Sequence, residues 1–188
     1  MRMLQSFRSD DALMKAFAKG SAEAFNELYR RHKDGLYRFL LRSSPTPQIA
    51  EDLTQEAWSS LIKRAASYQA QGTFKTWLFT IARHKLIDFT RSQTHKMQNA
   101  TVDEHDIESS SLAQDGNPES TLRLEQLLER IKQLPAEQRE AFVLQHEGFS
   151  LAEIAKITNS AQETVKSRIR YARTRLKADL SISPEVAS

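Results

Sequence analysis

Three observations predict an all-α chain. Glycine and proline are scarce, five of each in 188 residues, while helix-forming residues are abundant. Apolar residues recur every three or four positions in successive segments. Capping residues and proline breaks separate those segments. The apolar share of 39% suits one or two modest cores rather than one large one.

In chain order, Ser21 begins the first expected helix, with Phe25, Leu28, Tyr29 and His32 along one side. It continues through Leu36, Tyr37, Phe39 and Leu40, with a break expected near Gly35. Ser44-Pro45-Thr46-Pro47 is a stop. In the next helix Ile49, Leu53, Ala57, Trp58, Leu61 and Ile62 form the expected buried stripe. Asp52, Gln55, Glu56 and Lys63 lie on another side. Tyr68 to Gly72 is a loop, and Thr73 caps a helix over FKTWLFTIARHKLIDFTR. There Phe74, Trp77, Leu78, Ile81, Ala82 and Leu86 carry the core pattern, leaving Lys75, Arg83, His84, Lys85 and Arg91 outside. Aromatic rings beside cations, next to a glycine-containing loop, suit stacking of bases and neutralisation of single-strand phosphates. Trp77 and Phe79 also fit a plain core role, which leaves Tyr68 and the loop Gln69–Thr73 as the better base contacts.

From Ser92 to Gly116 the helical period disappears and three serines run together, which reads as a flexible linker. Asn117-Pro118 is a helix start, with Asn as cap and Pro at the first helical position. Leu122, Leu124, Leu127, Leu128, Ile131 and Leu134 follow as an amphipathic stripe. Pro135 opens another helix, with Ala141, Phe142 and Leu144 inward, ending at Gly148.

Two capping boxes then stand ten residues apart, Ser150 with Glu153 and Ser160 with Glu163. Helices should start at Leu151 and Ala161, with Asn159 supplying the left-handed turn. Leu151, Ile154, Ala155 and Ile157 make the first apolar side; Val165, Ile169, Ala172 and Leu176 make the second. Lys166, Arg170, Arg173 and Lys177 follow one residue on, about 100° around the axis. Arg168 and Arg175 add a third basic row. From Gln162 to Lys177 six Lys/Arg face one acid, Glu163, whereas a solvated surface helix intersperses the signs. A helix-turn-helix reading phosphates and base edges in the major groove is the better reading.

Net charge is +3 overall but uneven: +6 over residues 1–91, −5 over 92–120 and +2 over 121–188. Two basic parts flanking an acidic middle suggest two nucleic-acid-facing modules on a tether. There is no cysteine, so disulfides and thiolate metal sites are excluded. No apolar run approaches the ~20 residues of a membrane span. The N-terminus lacks a signal-peptide core, so a cytoplasmic protein without membrane insertion is expected. None of His32, His84, His95, His105 and His146 forms an H-E-x-x-H pair. Asp103, His105 and Asp106 fall in the linker, and there is no P-loop or nucleophile elbow. No catalytic residue, metal site or cofactor is expected.

Four blocks together resemble the extracytoplasmic-function (ECF) sigma factors of bacterial RNA polymerase. They are EDLTQEAW (Glu51–Trp58), FKTWLFTIARHKLIDFTR (Phe74–Arg91), LPAEQREAFVLQHEGFSLAEIA (Leu134–Ala155) and TVKSRIRYARTRL (Thr164–Leu176), and the likeness runs from Phe17 to Lys177. The resemblance implies a region 2 bundle over residues 1–91, a linker over 92–117, a region 4 helix-turn-helix over 118–180 and a tail over 181–188. It implies that Asp52, Leu53, Gln55 and Glu56 bind core polymerase. It also implies that Tyr68, Gln69, Gln71, Gly72, Lys75, Arg83, His84 and Arg91 meet the −10 element, where a base is held unpaired. Glu163, Thr164, Lys166, Ser167, Arg168, Arg170, Tyr171 and Arg173 fall on positions of −35 contact. The implied partners are core RNA polymerase, promoter DNA and an anti-sigma factor, which would hold the chain at the inner membrane face. Glu163 stands where the family often has Gly: it is either the cap of the second box or a base contact. The acidic linker fits either mimicry of nucleic acid in a basic channel or plain disorder. Two other readings use the same residues: a different helix-turn-helix regulator, and a nucleic-acid-processing enzyme.

Overall fold

A computed structural model of the protein describes residues 8–69, 72–99 and 126–181. Among the described residues the regular structure is helical, without strands. The chain divides into two compact units, Met1–Ile107 and Glu108–Ser188.

Unit 1 begins with a helix absent from the expectations above, α1 (Asp10–Ala18). Ser9 caps it by accepting the Ala12 N–H at 3.2 Å, two acids fill the first turn, and Leu13 and Met14 are fully buried. Gly20, at φ +98°, lets the chain turn out of α1; a Cβ there would meet nothing within 4 Å, so conformation rather than space favours glycine. Helix α2 (Ala22–Ser43) follows, capped by Ser21 as expected. It runs without a break through Gly35, because Leu36, Phe39 and Leu40 beyond it are buried and packing outweighs the weak local propensity. Helix α3 (Pro47–Arg64) starts with Thr46 as cap and Pro47 in its first turn. It buries Ala50, Leu53, Ala57, Trp58 and Leu61. Ile62, expected in that stripe, is 48% exposed, since it lies beside Leu61 on the outward flank of the helix.

A short 3-10 turn (Ala65–Ser67) leads through Tyr68 and Gln69 toward α4 (Phe74–Asn99). Phe74, Leu78, Phe79, Ile81 and Ala82 are buried, while Trp77 and Leu86 are half-buried. Phe39 and Phe79 meet with ring centroids 5.5 Å apart, at the junction of α2 and α4. Helix α4 continues eight residues into the linker expected from Ser92. No Gly or Pro interrupts residues 92–99, and each residue added to a formed helix gains a backbone hydrogen bond.

In unit 2 residues 126–132 are helical (α5), followed by α6 (Ala136–His146), α7 (Leu151–Thr158) and α8 (Gln162–Ser181). Ile131, Leu134, Ala141, Val143, Leu144, Phe149, Ile154, Ile157, Val165, Ile169, Ala172 and Leu176 build one core. Phe142 is only half-buried, against the His146 ring; Val143 takes the inward place. Both halves of the Ser150–Glu153 capping box are formed, and Asn159 adopts φ 49°, ψ 51°, the left-handed turn expected of it. The remainder of the linker through Asn117, the Asn117-Pro118 helix start, Leu122, Leu124, Gln71, Asp103, His105, Asp106 and residues 182–188 lie outside the described residues.

Candidate nucleic-acid interface

Helix α8 carries the basic surface. Its apolar stripe, Val165, Ile169, Ala172 and Leu176, is at most 5% exposed and faces α6 and α7. That burial turns Lys166, Arg170, Arg173 and Lys177 outward, and all four are exposed. The Arg170 guanidinium lies 5.1 Å from the centre of the Tyr171 ring, which is itself 54% exposed. Two flat groups, one cationic, are thus presented side by side. Thr164 is exposed too. The Ser167 hydroxyl donates back to the Glu163 and Thr164 carbonyls at 2.8 and 3.0 Å.

Two arginines expected to face DNA are engaged inside the unit. Arg168 donates to Ser160 Oγ at 2.9 Å and to Glu137 Oε2 at 2.5 Å, and its side chain is only 18% exposed. It ties the turn and the first turn of α6 to α8, so it is not a free DNA-facing group. Arg173 donates to Gln145 Oε1 at 2.9 Å while staying exposed. The second capping box does not form. The Ser160 hydroxyl donates to the Thr158 carbonyl and accepts from Arg168, and Ala161 rather than Ser160 precedes the first helical residue. Glu163 is therefore no cap. Its side chain is 85% exposed, with Lys166 Nζ at 3.8 Å. An acid in the first turn still suits the positive end of the helix.

In unit 1, Asp52, Gln55 and Glu56 are all exposed on α3 at spacings that share one face. Leu53, grouped with them, is 3% exposed and belongs to the core, because the same spacing turns it toward α2 and α4. Glu56 is paired with Lys85 of α4 at 3.2 Å.

Tyr68, just after the 3-10 turn, is held in place by its hydroxyl and its ring. The Tyr68 hydroxyl donates to Asp11 Oδ1, and its ring packs 4.9 Å from Trp77 and 6.4 Å from Phe74. Burial and the Asp11 carboxylate push the Tyr68 phenol well above its usual range. Tyr68 is thus an anchored, half-buried ring rather than a free stacking platform. Gln69 and Gly72 are exposed, with Gly72 at φ 131°. Thr73 caps α4 as expected, accepting the Thr76 N–H at 3.2 Å. Lys75 and Arg83 are half-buried, with Lys75 Nζ 5.9 Å from the Phe79 ring centre; His84 and Arg91 are exposed. His84 and Arg91, seven residues apart, share a helix face, whereas Lys75 lies about half a turn away from both. The cations of α4 are spread along about 24 Å of helix, not gathered into one stripe.

Sequence reasoning missed the residues behind these surfaces. Asp10 accepts from His32 Nε2 at 2.7 Å and from Arg31 at 2.8 Å. The His32 hydrogen bond, then that from Arg31, holds the Asp10 carboxyl below the usual carboxylate range against its partial burial. Arg30 and Arg31 hold Glu27 at about 2. Ser9-Asp10-Asp11 ahead of Leu13 and Met14 was the available signal, a cap with acids in the first turn. Among the described residues no His/Asp/Glu cluster is placed to hold a metal ion, and no helix is long and apolar enough to cross a membrane.

The family model of Sigma-70 region 2 matches residues 28–96, and that of Sigma-70 region 4 matches residues 124–176. The chain is 33% identical over 171 residues to the ECF RNA polymerase sigma factor SigM of Mycobacterium tuberculosis, covering 90% of this chain and 83% of that one. It is 29% identical over 174 residues to the ECF RNA polymerase sigma-E factor of Escherichia coli K12, covering 88% and 91% respectively. The sigma factor RpoE of Bartonella quintana, solved with the anti-sigma factor NepR, superposes with a TM-score of 0.72 at 28% identity, over 86% of this chain and 99% of that one. With a region 2 unit, a region 4 unit and this similarity along nearly its whole length, the chain belongs to the ECF sigma factors, the non-catalytic subunits that direct transcription initiation by RNA polymerase.

Proposed function

We propose that the exposed face of α3, the start of α4 and the outer face of α8 divide the work of promoter recognition. Asp52, Gln55 and Glu56 bind core polymerase; exposed acids on an otherwise basic unit suit a basic partner. The segment from Gln69 to Gly72, with Lys75, Arg83, His84 and Arg91, meets the −10 element. Thr164, Lys166, Ser167, Arg170 and Tyr171 read the −35 element, Lys166 through phosphates and Arg170 through a base edge. The observation that carries this reading is α8: behind the capped helix α7 and its left-handed turn, a buried stripe turns an almost purely cationic face of α8 to solvent.

The chain lends specificity to the polymerase and catalyses nothing itself. It works in the cytoplasm, and an anti-sigma factor holds it inactive, as a protein of that class is bound to the Bartonella RpoE. The test is reconstitution of the purified chain with sigma-free core polymerase and a promoter library. Specific initiation is expected, lost in Asp52→Lys together with core affinity. Absence of specific initiation, with Asp52→Lys binding core as well as wild type, would sink the proposal.

A further inference from the structure

Two adjacent carboxylates of α1 connect to residues on either side of Gln69 and Gly72, Asp11 directly to Tyr68 and Asp10 through His32 to Phe74. Asp11 accepts from the hydroxyl of Tyr68 across 57 positions of sequence. Asp10 accepts from His32 at 2.7 Å across 22 positions. His32 is 9% exposed and sets its ring 5.3 Å from Phe74, the residue that begins α4. The second oxygen of Asp10 takes Arg31 Nη1 at 2.8 Å, and the Ser9 cap fixes the turn that carries both acids. Helix α1 accordingly packs on α2, on the 3-10 turn before Tyr68 and on α4. A nine-residue helix is marginal alone, so α1 owes its place to Leu13 and Met14 below and to this polar network above.

We infer that α1 is a brace for the −10 segment and that Asp11 is a positioning residue for −10 recognition, acting through the Tyr68 hydroxyl. Asp10 does the same on the far side through His32 and Phe74. Side chains already held when DNA arrives lose less conformational freedom on binding, so holding Tyr68 and Phe74 in place favours one geometry of contact, which is what separates a matching base from a mismatched one. The inference rests on the assignment of Gln69–Gly72 to the −10 element.

The test uses the full chain with core polymerase on templates that differ at single −10 or single −35 positions. Asp11→Ala should lower the −10 preference ratio about threefold to tenfold. Tyr68→Phe should match that loss, and the double variant should be no worse than either single one, the mark of one shared interaction. Asp11→Asn, which keeps an acceptor, should retain the ratio. Core affinity and −35 ratios should not move in any of them; a merely destabilised chain would lower initiation on every template alike. If Gln69→Ala with Gly72→Ala shifts the −10 ratio and Asp11→Ala does not, the brace is overturned and the loop assignment stands. If neither shifts it, the loop assignment fails and the brace falls with it. Should Asp11→Ala not fold, Tyr68→Phe decides alone, and an unchanged −10 ratio refutes the brace.

Discussion

In unit 2 the candidate DNA-reading helix and the elements that prop it are neighbours in sequence. Ser150 starts the helix before it, Asn159 makes the turn and the α8 stripe sets its buried side, all within about thirty residues. In unit 1 the corresponding surface is assembled from afar: α1 reaches Tyr68 across 57 positions, and α3 reaches Lys85 of α4 through Glu56. A local device can be tuned one residue at a time. A device assembled from distant segments depends on every element that carries it.

The largest effect should test whether that contrast extends to folding. Phe79 is fully buried against Phe39, and Leu144 is fully buried beneath α8. Phe79→Ala should destabilise unit 1 by about 3–5 kcal/mol, and Leu144→Ala should destabilise unit 2 by about 2–5 kcal/mol. Calorimetry should show two transitions, each variant lowering only its own. A single transition lowered by both variants would mean that the units do not fold separately.

Next comes the chemistry of α8. Arg170→Ala should cost about 1–3 kcal/mol in promoter affinity and relax preference at one −35 position. Binding measured across single-base −35 variants decides it, for equal loss on all of them would make Arg170 a phosphate contact. The same substitution should leave −10 ratios untouched, whereas Asp11→Ala should do the reverse.

The helical class, the Ser21, Thr73 and Ser150 caps and the whole α8 stripe were legible because each depends on residues a few positions apart. Helix α1 was not, although its cap and acids stood in plain view, because what holds it are partners at Arg31, His32 and Tyr68 that no periodicity connects. The same holds for the site. The outward rows of α8 followed from spacing, but spacing could not show that Arg168 bends back to Glu137 or that Ser160 spends its hydroxyl on Arg168 and not on a helix cap. Ile62 was misplaced for a related reason, whereas Leu53, read into the same stripe, is buried as expected. A stripe's centre is clear from its period, while its flanks depend on which neighbouring helix covers them.

A smaller effect separates structural arginine from DNA-binding arginine. Glu137 is 71% exposed, so its bond to Arg168 should contribute no more than about 1 kcal/mol. Glu137→Ala should lower the unit 2 melting temperature slightly and leave the salt dependence of promoter binding unchanged, since Ser160 still holds Arg168. A salt slope steeper by about one would show that Arg168, once released, joins the phosphate contacts.

The smallest effect concerns Glu163. With capping removed as its role, two forces of opposite sign remain. Near phosphate its exposed carboxylate repels, and its 3.8 Å partner Lys166 is drawn away from DNA. Opposite a cytosine it would accept from the amino group and favour that base. Its exposure and the lone ion pair favour the first. Glu163→Gln should therefore raise affinity on every −35 sequence alike, by less than about fivefold, because an exposed charge in water acts weakly. It should also cost unit 2 a little stability, as the positive end of α8 loses an acid from its first turn. Titrations at two salt concentrations on templates with and without cytosine at each −35 position check this. A loss confined to one cytosine-bearing template would instead make Glu163 a base reader, and α8 would then select sequence with an acid as well as with its arginines.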